Sequence, residues 1–153
     1  MKRTDSQTDH VPDSKRRKAF QPRHLASALL AVGVAMTAMG NAEADPNVVN
    51  LETARENLEA GGVVMIDIRE PREHATGVAP GARLIPMSQL GQRLAEIPID
   101  PAKPVYLICN TQNRSAAVLR ALRETGGYSH VRFVDGGMSG WVRRGWPVVP
   151  PGG

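Results

Sequence analysis

The chain has 153 residues, with 19 Lys and Arg against 15 Asp and Glu, and it contains a single cysteine. This length suits one domain once any processed segment is removed, and one cysteine excludes an internal disulfide. The sequence has no P-loop, no Gly-x-Gly-x-x-Gly and no cluster of His, Cys and carboxylates with metal-ligand spacing, so we expect neither a cofactor nor a metal.

The first 44 residues contain the three regions of a secretory signal peptide in the right order. Residues 1–24 are polar and basic, and residues 25–40 carry no charge. Small residues follow at Ala42 and Ala44, the two positions that a signal peptidase reads. We therefore predict a signal peptide with an n-region over 1–24, an h-region over 25–40 and cleavage after Ala44.

Two other interpretations of the apolar segment stay open, a buried helix and an uncleaved membrane anchor facing the periplasm. Its sixteen residues fall short of the roughly 20 that span a bilayer. Because basic residues precede it, both exported forms place the remainder outside the cytoplasmic membrane, and we expect a periplasmic or secreted protein. The Arg16-Arg17 pair leaves Sec and twin-arginine export open, although Phe20 stands one place too late for the usual twin-arginine pattern.

The basic balance of the chain belongs to this leader. Residues 1–44 hold seven of the 19 basic and four of the 15 acidic residues, which leaves 12 against 11 for residues 45–153. The remaining net charge of +1 gives no footprint for nucleic acid, so we expect no nucleic-acid partner.

Beyond residue 45, short apolar runs alternate with segments of helical spacing. Helical spacing occurs over 51–60, 90–97 and 114–125, and the last of these is predicted to bury Ala117, Val118, Ala121 and Leu122. We predict strands over 48–49, 63–66, 84–85, 105–108 and 131–134. Apolar strands that alternate with helices predict an α/β fold, with a central, mostly parallel sheet of about five strands and helices on both faces.

Three polar residues each follow an apolar run directly: Asp67, Cys109 and Asp135. All three should lie at the carboxyl ends of parallel strands, the edge at which open sheets of this kind bind ligands. For Asp67 and the nearby Arg69 we favour a supporting role, since an Asp at a strand end often pairs with an Arg or fixes loop amides. Position alone thus places Cys109 at the expected site.

The loop after Cys109 gives a physical reason for reactivity. Four residues separate it from Arg114, and a helix that begins near Arg114 or Ser115 directs unpaired backbone N–H groups toward the loop. A thiolate or a bound anion would be stabilised there. The alternative is a small buried hydrophobe, the usual state of a free cysteine, but the polar loop and the arginine favour a nucleophile.

These residues resemble the rhodanese domain, a single-cysteine sulfurtransferase fold. Cys-x-x-x-x-Arg-Ser between strand and helix resembles its active-site loop, and residues 64–71 (VMIDIREP) resemble its Asp-x-Arg-Glu strand. Residues 73–86 (EHATGVAPGARLIP) are similar to its Gly-His-Ile-Pro-Gly-Ala segment, and residues 134–141 (VDGGMSGW) to its Gly-Gly turn and tryptophan. The resemblance covers residues 47–149 and leaves 150–153 as a flexible tail.

The resemblance implies a thiosulfate sulfurtransferase-like enzyme that works without a cofactor. In such enzymes the cysteine takes the outer sulfur of a donor such as thiosulfate, and the persulfide passes it to a thiol or cyanide. Carried over, Cys109 and Arg114 are the catalytic residues, and the loop amides that would cradle the persulfide are those of Asn110, Thr111, Gln112, Asn113 and Ser115. Structural support would come from Asp67, Arg69, Gly136, Gly137 and Trp141. The implied partners are a small sulfur donor, a thiol or cyanide acceptor, and a thiol-reducing or sulfur-accepting protein.

Departures from the family pattern keep two other functions open. Asn110 and Gln112 stand where the family often has a basic or longer side chain and a glycine, which puts donor choice in doubt, and Val78 replaces a histidine that is not catalytic. A binding module that docks an exported partner without catalysis is one alternative. The other is a phosphatase or arsenate reductase, but those use Cys-x5-Arg, a loop one residue longer. His74 and His130 are expected at the surface.

Overall fold

The structure, a computed structural model, describes residues 45–152, so the predicted signal peptide and its cleavage point lie outside the described residues. Its strands are β1 (Val48–Val49), β2 (Val64–Asp67), β3 (Arg83–Leu84), β4 (Val105–Ile108) and β5 (Val131–Val134). They form one sheet in the order β1-β5-β4-β2-β3, and every pairing of neighbouring strands is parallel. The predicted α/β fold with a parallel sheet of about five strands is confirmed.

Three α-helices connect strands, α1 (Leu51–Glu59), α2 (Pro71–His74) and α3 (Asn113–Thr125), and α4 (Gly137–Arg143) follows β5. The first begins at Asn50, whose side chain accepts a hydrogen bond from the Thr53 amide at 2.8 Å, as an N-cap residue does. It ends before Gly61, and α3 ends at Gly126, whose φ of +79° a residue with a side chain rarely adopts. Local sequence therefore determines where these helices begin and end.

Alternate residues of the central strands enter two cores, one on each face of the sheet. Ile66 and Leu107 lie in the core that α3 covers, whereas Met65 and Ile108 lie in the core that α1 and α4 cover. Cys109 continues β4 on the α3 side. The site is consequently built where the sheet edge meets the beginning of α3.

Residues 90–97 do not form the predicted helix. They contain instead one single turn of 3-10 helix, Leu94–Glu96, and another such turn, Met87–Gln89, precedes them. Gly91 is a poor helix former, and Pro98 disfavours the helical conformation at the residue before it, so that Ile97 is extended with ψ of 117°. The apolar spacing was real, because Leu90 and Ile97 are buried, but the chain between them is not a continuous helix.

The buried face of α3 also differs from the prediction. Leu122 is buried and Val118 packs against the core as predicted, but Ala117 and Ala121 are exposed, and α3 also buries Ser115 and Leu119. The rotation of the helix is set at its first turn, where Ser115 lies against Cys109. Apolar periodicity could not show this, because it does not count a buried serine as part of the core face.

The end of the folded region is held by an antiparallel bridge between Val78 and Val149, with two backbone hydrogen bonds of 2.9 and 3.0 Å. The domain limits 47–149 and the flexible tail over 150–153 stay predictions. Within residues 45–152, no helix combines the length and apolarity that crossing a bilayer requires.

Candidate active site

Cys109 follows β4 directly and forms the floor of a short loop. The loop runs over Asn110, Thr111 and Gln112, and α3 begins at Asn113, one residue earlier than predicted. Only 1% of the Cys109 surface is exposed, whereas Asn110 and Thr111 are exposed. The cysteine thus lies beneath a polar loop.

The backbone of this loop is held through its carbonyl groups. The amides of Met138 and Ser139, at the start of α4, donate hydrogen bonds of 2.8 Å to the carbonyls of Cys109 and Asn110. Within the described part of the chain, no hydrogen bond uses the amides of residues 110–115 as donors. A helix N-terminus with free amides is a site for an anion or a negatively charged sulfur.

Ser115 lies beside the sulfur. Its Oγ atom is 3.4 Å from the Sγ atom of Cys109, and it also donates to the carbonyl of Gln112 at 3.0 Å. Ser115 is fully buried, so its hydroxyl has no competing water. The hydroxyl therefore links the sulfur to the loop, although the sequence assigned Ser115 only a backbone role.

Gly137 allows α4 to approach the loop closely. A Cβ atom at this position would lie 2.2 Å from the Thr111 carbonyl oxygen and 2.4 Å from that of Cys109. Its φ is +52°, and that of Gly136 is +73°, both in the left-handed region that favours glycine. No side chain fits there unless the cysteine loop moves.

Arg114 does not face the loop alone, because it forms a two-pronged ion pair with Glu73 of α2. Its Nη1 and Nη2 atoms donate to the two carboxylate oxygens at 2.7 and 2.6 Å. These hydrogen bonds hold the pKa of Glu73 at about 2, against the partial opposition of burial. They also raise the pKa of Arg114 above its ordinary value, and Cys109 makes a smaller contribution in the same direction.

A second ion pair lies deeper at the same edge. Arg69 donates from Nε and Nη2 to the Asp67 carboxylate at 2.7–3.0 Å, and Nη2 also donates to the Gly77 carbonyl at 2.8 Å. His74 is buried beside this pair, with Nε2 3.5 Å from Asp67 Oδ1, so the prediction of a surface histidine is wrong there. The α2 helix turns His74 inward as it presents Glu73 to Arg114. His130 is half-buried against the Pro98 carbonyl.

The structure brings most of the predicted site residues together around the loop. Asn110 accepts a hydrogen bond from the Ser139 hydroxyl at 3.0 Å. Trp141 is buried in the core under α4, and its Nε1 donates to the Pro147 carbonyl. Asp135 is exposed, and Thr111 and Asn113 make no side-chain hydrogen bond within residues 45–152.

Sequence reasoning missed Glu73 as the partner of Arg114. A signal was present, because an arginine after β4 lies next to the carboxyl end of β2, and the following residues 70–73 include two glutamates. Two carboxylates close to one cation do not show which of them binds it. The capping hydrogen bond from the Glu70 amide to Glu73 at 3.0 Å resolves the choice.

A cavity of about 590 Å³ lies beside the first turn of α3. Asn113 and Ala116 line it together with Phe133 of β5, but Cys109 does not. This cavity is therefore separate from the thiol. No group of three or more His, Cys, Asp or Glu side chains in residues 45–152 could hold a metal ion.

Comparison with known proteins agrees with this geometry. A family model described as the rhodanese-like domain matches residues 50–144. A sulfurtransferase of Allochromatium vinosum is 34% identical over 108 residues, which cover 70% of this chain and 98% of that protein.

Two solved structures are similar in fold. A rhodanese-related protein of Thermoplasma volcanium has a TM-score of 0.59 and 31% identity, over 67% of this chain and 97% of that one. A thiosulfate sulfurtransferase of Pseudomonas aeruginosa has a TM-score of 0.59 and 27% identity, over 67% of this chain but only 20% of that one. With the strand-end cysteine and its four-residue loop, these matches show that the chain belongs to the rhodanese-like family.

Proposed function

We propose that this protein is a sulfurtransferase that carries a sulfane sulfur on Cys109 between a small donor and a thiol or cyanide acceptor. The observation that carries the proposal is the position of Cys109 directly before the six amides of residues 110–115, in the loop and the first turn of α3, which donate no hydrogen bond within residues 45–152. Family membership and the sulfurtransferase relative support it. The identity of the donor and acceptor belongs to the proposal as well.

The first step transfers sulfur to the enzyme. The Cys109 thiolate attacks the outer sulfur of thiosulfate and forms a new S–S bond. The S–S bond of the donor breaks, and its electron pair leaves with sulfite. The enzyme then holds a persulfide of charge −1, and the total charge of −3 is the same before and after the step.

The second step returns the thiolate. An acceptor thiolate, or cyanide, attacks the terminal sulfur, and the electron pair of the Cys109 S–S bond goes back to Sγ. The products are a persulfide of the acceptor or thiocyanate. No oxidant or reductant is consumed, so one cysteine suffices for a complete cycle.

The surrounding groups stabilise the sulfur in both steps. The amides of residues 110–115 at the beginning of α3 supply partial positive charge to a persulfide, and the Ser115 hydroxyl, 3.4 Å from Sγ, can donate to the sulfur when it gives up its hydrogen bond to the Gln112 carbonyl. Arg114 acts through its ion pair with Glu73, which holds the first turn of α3 against α2. Gly137 positions the loop backbone.

Mass spectrometry of the intact protein tests the proposal directly. Incubation with thiosulfate, or with a low-molecular-mass persulfide, should add one sulfur atom, and cyanide should remove it as thiocyanate. The Cys109→Ser variant should gain no sulfur and keep its fold by circular dichroism. If no sulfane donor gives a sulfur adduct, the proposed sulfurtransferase function is contradicted.

The burial of Cys109 favours one second candidate, a binding module without catalysis. A thiol that is 1% exposed and belongs to the core cluster fits an inert residue as well as a protected one. The two functions differ in the native thiol, because a carrier must react with sulfane donors and a filler must not. A protein that forms no persulfide but whose partner binding is unchanged by Cys109→Ala would be the module.

Export of the mature chain is part of the same proposal. It is supported by the basic, apolar and small-residue regions in residues 1–44, which end at Ala44. Protein recovered from the periplasm of a bacterial host should begin at Asp45 on N-terminal sequencing. Retention of residues 25–40 in membrane-bound protein would contradict cleavage and favour the anchor.

A further inference from the structure

The loop above Cys109 carries no free positive charge. Residues 110–113 are Asn, Thr, Gln and Asn, and Arg114 is the only cation in the segment from Cys109 to Ser115. Both prongs of its guanidinium are engaged by the Glu73 carboxylate at 2.6 and 2.7 Å. The cation that could attract an anionic donor is therefore already neutralised by the protein.

The neighbouring charges on α2 and β2 do not change this balance. Asp67 and Arg69 neutralise each other below the loop, and Glu70 accepts hydrogen bonds from the amide and hydroxyl of Ser88. Arg72 is exposed and forms no ion pair with the loop within residues 45–152. Glu73 remains ionised at neutral pH, since its hydrogen bonds to Arg114 hold its pKa at about 2.

Glu73 is held in place from both sides. Its carboxylate accepts from the Glu70 amide at 3.0 Å, and its backbone carbonyl accepts from Arg69 Nη1 at 3.3 Å. Its side chain is 26% exposed, and that of Arg114 is 31% exposed, so the pair borders solvent. The carboxylate that occupies Arg114 is therefore held in one place at the edge of the site.

We propose that Glu73 is a positioning residue that sets the charge class of the sulfur donor, and that it favours sulfane donors with one negative charge or none over dianionic thiosulfate. This inference rests on the sulfur transfer proposed above. Glu73 acts through Arg114, because the cation that it occupies is the one nearest Cys109 in the loop. An extra negative charge on the donor then meets a carboxylate, and the segment from Cys109 to Ser115 offers no unpaired cation.

The test compares two donors that differ by one charge. Methanethiosulfonate, CH3SO2S⁻, replaces one oxygen of thiosulfate by a methyl group and has nearly the same size. The Cys109 thiolate takes its outer sulfur, and methanesulfinate leaves with the electron pair. The Glu73→Gln variant should raise kcat/KM for thiosulfate relative to methanethiosulfonate by about tenfold, the effect of one unit charge a few ångströms away in partly solvated protein.

A merely structural role for Glu73 would lower both rates together and leave their ratio unchanged, which would overturn the inference. The matched control is Glu96→Gln, because Glu96 pairs with Arg93 on the surface through similar hydrogen bonds of 2.6 and 2.8 Å, away from the loop. Its ratio should equal that of the natural protein. A shifted ratio in Glu96→Gln would also contradict a specific effect of Glu73.

The natural protein supplies a second measurement that needs no variant. Its kcat/KM for thiosulfate should be lower than for methanethiosulfonate and should not fall when ionic strength rises, because the one cation between Cys109 and Ser115 is already paired with Glu73. A steep fall with salt would overturn the inference. If neither donor gives a Cys109 persulfide, the proposed function fails; if both do and the ratio is unmoved, only the role of Glu73 fails.

Discussion

The connections that follow β2 and β4 end at the same sheet edge but are held in different ways. After β2, a fully buried Asp67 pairs with an Arg69 that also binds backbone carbonyls of the following segment. After β4, the loop is held by backbone hydrogen bonds from α4 and by an ion pair that borders solvent.

The difference indicates that the connection after β2 supports the structure, whereas the connection after β4 presents the groups around Cys109. Buried paired charges are rigid, because breaking one partner leaves the other without solvation. After β4, by contrast, the amides of residues 110–115 donate no hydrogen bond within residues 45–152, and Arg114, the one cation of that segment, is paired with a partly exposed carboxylate. A connection can leave polar groups unpaired in this way when the adjacent connection, here the one after β2, is rigid.

Removal of Arg69 tests the buried connection and should have the largest effect on stability. Arg69→Met leaves the Asp67 carboxylate buried without its ion partner, which should cost about 3–5 kcal/mol of the free energy of unfolding. Chemical denaturation measures this, and Arg93→Met on the surface is the control, expected to cause no measurable change. Equal effects of the two variants would show that the β2 connection is no more rigid than a surface pair.

Gly137→Ala tests the loop after β4. A methyl group 2.2 Å from the Thr111 carbonyl and 2.4 Å from that of Cys109 must displace the loop, and we expect a loss of about 2–4 kcal/mol and of persulfide formation. Gly145→Ala is the matched control, since its φ of +68° is similar but no atom lies within 4 Å of the new methyl group. It should cost only about 1–2 kcal/mol of backbone strain. Similar losses of activity in both variants would contradict a close approach of α4.

The exposed ion pair should make a smaller, pH-dependent contribution. The pKa of Glu73 is about 2 in the folded protein against 4.5 without its partners, so ionised Glu73 stabilises the fold above pH 4.5. That contribution falls as pH drops from 4.5 toward 2. After allowance for solvent screening, Glu73→Gln should cost about 1–2 kcal/mol at pH 7. The difference from the natural protein should vanish near pH 2, and a pH-independent difference would exclude an electrostatic origin.

Glu96→Gln should have the smallest effect of all. The Glu96 side chain is 47% exposed against 26% for Glu73, although its hydrogen bonds to Arg93 are as short as those between Glu73 and Arg114. Surface pairs of this kind contribute little, so thermal denaturation should give the same midpoint with and without the carboxylate. A clear loss of stability would show that hydrogen-bond length, and not surroundings, determines what these pairs contribute.

The fold followed from the sequence because apolar runs and helix boundaries are local features. The strand predictions over 105–108 and 131–134 match β4 and β5, and those for β2 and β3 differ by one residue. The predicted helix over 90–97 was wrong because Gly91 and Pro98 disfavour the helical conformation without changing the apolar spacing. Periodicity reports which residues are buried more reliably than the backbone conformation between them.

The candidate site could be predicted from the sequence only in part. Cys109 and its loop were visible because a strand end and a spacing are properties of one segment. The pairing of Arg114 with Glu73 joins residues 41 positions apart, and the close approach of Gly137 joins α4 to the loop after β4. Neither relation leaves a trace in local composition. His74 was misplaced for the same reason, since its burial depends on where α2 lies against β2.

Leu51 packs closely against α4 at its glycines. Its Cδ1 atom would lie 2.4 Å from a Cβ on Gly140 and 3.1 Å from one on Gly136. Leu51, near the beginning of the folded region, therefore packs against the same helix that donates hydrogen bonds to the loop above Cys109. Removing Leu51 by shortening the chain beyond Asn50 would delete a packing contact of α4, the helix that holds the loop by hydrogen bonds. A fragment meant to retain the chemistry of Cys109 should keep everything from Asp45 onward.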